Sequence, residues 1–264
     1  MFEFHSDRKR YFDIQYLNAK NYVLPFIEST WPIQNDMRVL EIGCGEGGVL
    51  KAFIERGCKG VGVELDDFRL TYAREWMQQE IADNKVVFIS KDIYETDADE
   101  MGGRFDLIVL KDVIEHIPQQ DRLLKRMHDF LLPGGAIYFG FPPWYMPYGG
   151  HQQICKNKWL SRLPYYHLLP RSIYRWLLLR AGENVDEMIE IRDTGISIER
   201  FERICSQTGY AIKASKFYLV NPIYEYKFGW KPRTQMAWLG AIPFLRNFVT
   251  TCVYYLVQPK NVKV

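Results

Sequence analysis

The stretch VLEIGCGEGGVL, Val39 to Leu50, decides how the rest of the chain is read. A short apolar run carries a carboxylate, Glu41, and meets a loop with four glycines, Gly43, Gly45, Gly47 and Gly48. An apolar helix start follows. Glycines let a ligand approach the backbone closely, and a helix N-terminus favours negative charge. The string therefore reads as a strand, a ligand-facing loop and a helix.

The same alternation continues outward. Before the loop, MRVLEIG is an apolar strand; after it, GGVLKAFIERG is a helix with Gly57 as its C-terminal cap. GVGVEL is a second strand. DDFRLTYAREWMQQEIADN is a helix with Asp66 or Asp67 as N-cap. KVVFISKD is a third strand, and FDLIVLKD a fourth, continuous enough in apolar residues for burial on both faces. QDRLLKRMHDFLLPGG is a helix stopped by Pro-Gly-Gly, and AIYFGF is a fifth strand. Alternation of this kind predicts βαβ units with right-handed crossovers, a doubly wound α/β class whose ligands sit at the carboxyl ends of the strands.

At the N-terminus, YFDIQYLNAKNYVLPFIEST has helical apolar spacing and is expected to stop near Pro25 or Pro32. After Phe141 the pattern breaks into a Pro-, Gly- and aromatic-rich stretch. It resumes with the helix SIERFERICSQTG and the strands YAIKASKFYLV and TTCVYYLVQP. This divides the chain into an N-terminal helical part (1–34), a core (35–141), an insertion capping the sheet (142–195) and a C-terminal part of the sheet (196–264).

The totals exclude several classes. The chain has 264 residues, 47% of them hydrophobic and 25% charged, enough for one large domain with an insertion. A net charge of +2 is too balanced for a dedicated nucleic-acid binder. The 5 cysteines form no CxxC pair and read as free thiols of a reducing compartment, so the expected location is cytoplasmic. The N-terminal residues contain no apolar segment of a secretory signal, and no run of about 18 apolar residues is present to span a membrane.

Two acids narrow the ligand. Glu64 ends the second strand about 20 residues beyond Gly45, where a carboxylate takes the hydroxyls of a ribose. Glu41 stands at the mouth of the loop, where a dinucleotide would bring its pyrophosphate. At some 5 Å that repulsion costs roughly 3 kcal/mol at an effective dielectric of about 20. A ligand with a ribose, an ammonium and a sulfonium is attracted instead, and S-adenosylmethionine has all three.

At these residues the chain resembles the class I S-adenosylmethionine-dependent methyltransferases, in the branch similar to small-molecule and quinone methyltransferases. VLEIGCGEGG is similar to the family's first motif, GVELD to its second-strand acid and SKDIYE to its third-strand acid. FDLIVLKDVIEHIP is similar to the fourth-strand motif, and LLPGGAIYFG to the turn into the fifth strand. The resemblance implies a Rossmann-like, mostly parallel seven-stranded sheet with a helical cap after the fifth strand. It implies that Glu41, Gly43 and Gly45 line the methionine end and that Glu64 binds the ribose, with Leu65 against the adenine. Asp92 would accept from the adenine amino group, and Ile93 would pack on the ring. Lys111 and Asp112 would stand beside the methionine moiety, although the family often has a small or sulfur residue at Lys111, whose plain alternative is a solvated lysine. The N-terminal helix would fold over the cofactor as a lid, with Tyr11, Gln15 and Tyr16 as contacts. Cys44, within the cofactor loop, reads as a small buried filler.

Candidate catalytic residues are His151, flanked by glycine in the cap and placed to act as a base, and His116, which follows Glu115. The 5 histidines are scattered without metal-ligand spacing, so no metal is expected. From Phe130 to Gly182 there is no Asp or Glu, while Lys156, Lys158, Arg162, Arg171, Arg175 and Arg180 are interleaved with aromatics. A basic aromatic cap suits an anionic, aromatic or lipid-linked acceptor and contact with a membrane surface. The helix RSIYRWLLLR would pack Ile173, Trp176 and Leu177 on the domain and turn Arg171 and Arg175 outward. The expected activity is O- or C-methylation of a small molecule, with no nucleic-acid partner. The rival readings are an NAD-dependent dehydrogenase and a non-catalytic S-adenosylmethionine-binding protein.

Overall fold

The computed structural model describes residues 7–260. The first six residues of the N-terminal part and the last four of the C-terminal part lie outside them. One sheet forms the centre. Its strands are β1 (Arg38–Ile42), β2 (Lys59–Glu64), β3 (Val86–Ser90), β4 (Phe105–Lys111), β5 (Leu131–Phe141), β6 (Tyr210–Val220), β7 (Arg233–Thr234) and β8 (Cys252–Pro259). They are ordered β3-β2-β1-β4-β5-β8-β6-β7. β1 to β5 are parallel to one another; β8 runs antiparallel between β5 and β6, and β7 antiparallel to β6.

Strand periodicity explains the two faces. In β4, Phe105, Ile108 and Leu110 point to one core, and Leu107 and Val109 to the other. In β8, Val253, Tyr255 and Val257 take the first face, and Cys252, Tyr254 and Leu256 the second. Each fully buried side chain of this size stabilises the fold by about 1.5–3 kcal/mol. The strand order reverses between β1 and β4, so the loops after these two strands separate and open a crevice.

The structure corrects several expectations. The sheet has eight strands rather than seven; the extra one, β7, is two exposed residues long and too short to leave a periodic signal. The N-terminal helix runs Arg8–Asn18, passes through a π-helical turn Ala19–Val23 and ends with Leu24–Glu28, so it crosses Pro25 and stops before Pro32. Pro25 is tolerated because it sits in the first turn of the last piece, where its missing N–H matters least. The helix before β5 ends at Phe130, and Pro-Gly-Gly belongs to the bulged start of β5.

Residues 142–195 form short 3-10 turns and the helices Arg171–Ala181 and Val185–Thr194. They enclose their own small core of Cys155, Leu160, Tyr166, Tyr174, Leu178, Met188 and Ile189. The Arg171–Ala181 helix therefore buries Tyr174 and Leu178, not the predicted face, and leaves Ile173 and Trp176 exposed. Gln120 Nε2 donates to Thr194 O at 2.6 Å, and Trp144 N to Ile196 O at 2.8 Å, tying this insertion to the sheet domain. A second insertion, unforeseen in the sequence, joins β6 to β8 and contains the helix Ile223–Phe228.

Candidate functional site

A cavity of about 480 Å³ lies at the carboxyl ends of β1 and β4. Glu41, Gly43 and Cys44 form its floor, with Lys111 and Asp112 beside them. Tyr11 and Gln15 of the N-terminal helix cover one side, and Met146, Tyr148 and His151 of the insertion cover another. Tyr16 faces elsewhere: its hydroxyl donates to Glu55 at 2.5 Å.

The glycine loop is built for close approach. Gly43 has φ +68°, and a Cβ there would stand 2.7 Å from Val113 Cγ2. Gly48 starts the next helix where a Cβ would meet the Phe12 carbonyl at 2.5 Å, so the N-terminal helix lies directly on this turn.

Glu41 is 3% exposed, and its Oε2 has no hydrogen-bond partner. Burial drives its carboxyl well above the usual range, opposed by the Leu50 N–H and by Lys111. A buried carboxylate oxygen without a partner is costly unless a ligand completes it. Cys44 is a buried thiol pushed upward by burial and by Glu41, which suits a filler and not a nucleophile.

Lys111 is not solvated. Its Nζ, with the side chain 4% exposed, contacts Asp112 Oδ2 at 2.6 Å. Burial works against the Asp112 charge, but the Lys111 ammonium outweighs it and holds the carboxyl below its usual range.

The predicted nucleoside residues lie apart from this cavity. Glu64 Oε2 accepts from Gly45 N at 2.9 Å, and Oε1 from Leu65 N at 2.9 Å and Asp66 N at 3.2 Å. Leu65 is 71% exposed, and Ile93 is buried. Asp92 Oδ1 accepts from Tyr94 N at 2.9 Å, capping the turn that follows β3. Beside Glu64, and lining the cavity, stands Arg69, which sequence reasoning missed. Its guanidinium donates to Glu46 Oε2 at 2.8 Å and lies 3.8 Å from Glu64. Arg8 donates to the same Glu46 at 2.7 Å.

The two candidate histidines meet. The rings of His116 and His151 are 4.8 Å apart, edge to face. Burial and the neighbouring His116 push His151 down to about 4, so its imidazole is neutral near pH 7. Glu115 beside them is buried with neither oxygen partnered, and burial and Asp112 raise its carboxyl. Ligand atoms of Glu115, His116 and His151 all lie within 4.8 Å of one another. The expectation of no metal rested on spacing along the chain; folding brings these three side chains together. Lys227, from the second insertion, also lines the cavity and was missed; burial lowers it to about 8.

The methyltransferase-domain family matches residues 15–188. The chain belongs to this methyltransferase family. Ubiquinone biosynthesis O-methyltransferase of Idiomarina loihiensis is 31% identical over 116 residues, 44% of this chain and 46% of that protein. The enzyme of the same name from Pseudomonas aeruginosa is 29% identical over 101 residues, 38% of this chain and 42% of the relative. The chain thus aligns with less than half the length of these curated relatives. Among solved structures, geranyl diphosphate C-methyltransferase of Streptomyces coelicolor, in complex with Mg2+, geranyl diphosphate and S-adenosyl-L-homocysteine, has TM-score 0.56 at 13% identity. That likeness spans 90% of this chain and 79% of the other. It agrees with the α/β fold of this methyltransferase domain. Among the described residues of the domain, no helix is long and apolar enough to cross a membrane.

Proposed function

We propose that this protein transfers a methyl group from S-adenosylmethionine to an oxygen or carbon of a small acceptor, releasing S-adenosylhomocysteine. The observation that carries the reading is Glu41, buried at the mouth of the glycine loop with an unpartnered oxygen. The residues present fit the cofactor. Glu41 would take its ammonium, Gly43 admits it without a Cβ, and Lys111 or Arg69 would face its carboxylate. Glu64, Leu65, Asp92 and Ile93 would hold the nucleoside once Arg69 moves aside. The cofactor supplies an electrophilic methyl on a cationic sulfur. The chain's own task is then alignment and exclusion of water. Tyr11 and Gln15 close one side and Met146 another. A neutral His151 is ready to accept a proton from a hydroxyl acceptor, with His116 beside it.

For the acceptor, relatives named for ubiquinone biosynthesis favour an aromatic or lipid-linked hydroxyl compound. We take the location to be cytoplasmic, with membrane contact that includes residues of the cap. Within the cap, Arg171 pairs with Asp193 at 2.7 Å, which offsets its charge there. Calorimetry with S-adenosylmethionine and with NAD tests the reading: one S-adenosylmethionine site per chain and no NAD binding is expected. NAD binding alone would favour a dehydrogenase. Cofactor binding without turnover of any catechol, phenol or prenylated acceptor would favour a non-catalytic binder.

A further inference from the structure

A second cavity, of about 540 Å³, opens beside the first. The two share Met146, Tyr148, Gln153, Tyr224, Lys227 and Thr251 as a common wall. Beyond that wall the chemistry changes. Leu219, Val220, Phe228 and Trp230 line the second cavity, and no Asp or Glu does. The apolar residues continue to the surface, where Leu219 is 38% exposed, Phe228 39% and Trp230 60%.

Cations surround this apolar mouth. Arg162 lines the cap side. Lys231 and Arg233 are exposed beside Trp230, and Arg233 pairs in register with Val220 of the groove wall. From Tyr226 to Lys260 the chain contains no acidic residue. The nearest preceding acid, Glu225, accepts from the Tyr22 hydroxyl of the N-terminal helical part.

We propose that this rim docks on an anionic lipid bilayer, and that the groove receives the apolar chain of a methyl acceptor held there. The inference rests on the reading of the first cavity as the site of methyl transfer. Two observations select the occupant. Exposed tryptophan and phenylalanine flanked by Lys and Arg match the interface of an anionic membrane, which offers apolar chains and negative headgroups together. The groove also adjoins the reaction cavity across their shared wall, so a chain lying in it would end beside the site of methyl transfer. A second copy of the same face would set Lys231 and Arg233 against their own like charges.

The test uses the full chain with vesicles of phosphatidylglycerol and phosphatidylcholine, in sedimentation. Binding is expected to the anionic mixture, to fall as salt rises, and to be much weaker with phosphatidylcholine alone. The triple variant Trp230→Ala, Lys231→Ala, Arg233→Ala should lose at least tenfold in binding. A control, Lys85→Ala with Lys125→Ala, removes similar charge elsewhere and should bind as wild type. Acyl chains brominated near the headgroup should quench tryptophan fluorescence, and Trp230→Phe should remove part of that quenching. Absence of wild-type binding at low salt, or equal loss in the control pair, overturns the proposal. So does a dimer in sedimentation velocity that the triple variant abolishes, since that would give the face to a second copy. S-adenosylmethionine titration of the same samples is independent of vesicles, so failure of the cofactor reading would be seen separately.

Discussion

The carboxylate of Glu64, at the end of β2, accepts the backbone N–H of Gly45, in the loop after β1, at 2.9 Å. The acid expected to hold a ribose also ties down the glycine loop. Glu64→Ala should therefore weaken S-adenosylmethionine binding by about a hundredfold, since charged hydrogen bonds are worth roughly 1.5–3 kcal/mol each and are not additive. The measurement is calorimetry on a variant whose circular dichroism matches wild type. An unchanged dissociation constant would remove Glu64 from the site.

Glu41 sets a trade between stability and binding. Its carboxyl is raised well above 4.5 by burial, so the unliganded fold bears a penalty at neutral pH that is absent below the unfolded-state value. Glu41→Gln should raise the melting temperature of the ligand-free protein at pH 7 by a few degrees, at about 2–4 °C per kcal/mol. The gain should vanish near pH 4, and cofactor affinity should fall. Parallel melting curves at the two pH values, with one titration, decide it.

Gly43 carries two separate demands. Its φ of +68° disfavours any L side chain by about 1–2 kcal/mol. A Cβ would also stand 2.7 Å from Val113 Cγ2. Gly43→Ala should lower stability and cofactor affinity, and adding Val113→Ala should recover only the steric part. Denaturant midpoints of the single and double variants separate the two; full recovery would show that φ strain is not involved.

His151 predicts a pH dependence with a defined sign. Its folded value, about 4, lies below the ordinary 6.5. Between these values the unfolded chain binds a proton that the folded one does not, so stability rises with pH across that window. The contribution lost on acidification is on the order of 3 kcal/mol at 1.36 kcal/mol per pKa unit. His151→Gln should flatten the stability curve between pH 4 and 6.5 and leave it unchanged above pH 7.

Much of the fold is legible along the chain because its causes are local. Continuous apolar runs in MRVLEIG and FDLIVLKD, and glycines where the backbone needs positive φ, place β1, β4 and the loop between β1 and the Gly48–Glu55 helix. Spacing from Gly45 singled out Glu64, and position at the mouth of the loop singled out Glu41. What only the tertiary structure decided depends on where distant segments meet. His151 reaches His116 and Glu115 because the insertion folds back over β4; no spacing rule encodes that path. Arg69 enters between Glu46 and Glu64 because its helix starts at the end of β2 and points its long side chain back over the glycine loop. The Arg171–Ala181 helix offered two apolar stripes, and the insertion's own core chose Tyr174 and Leu178. Lys227 carries no local signal at all and becomes part of the site through the β6–β8 connection. Periodicity reports which side of an element is buried, whereas the partners it meets are set by how the whole chain closes its two cores.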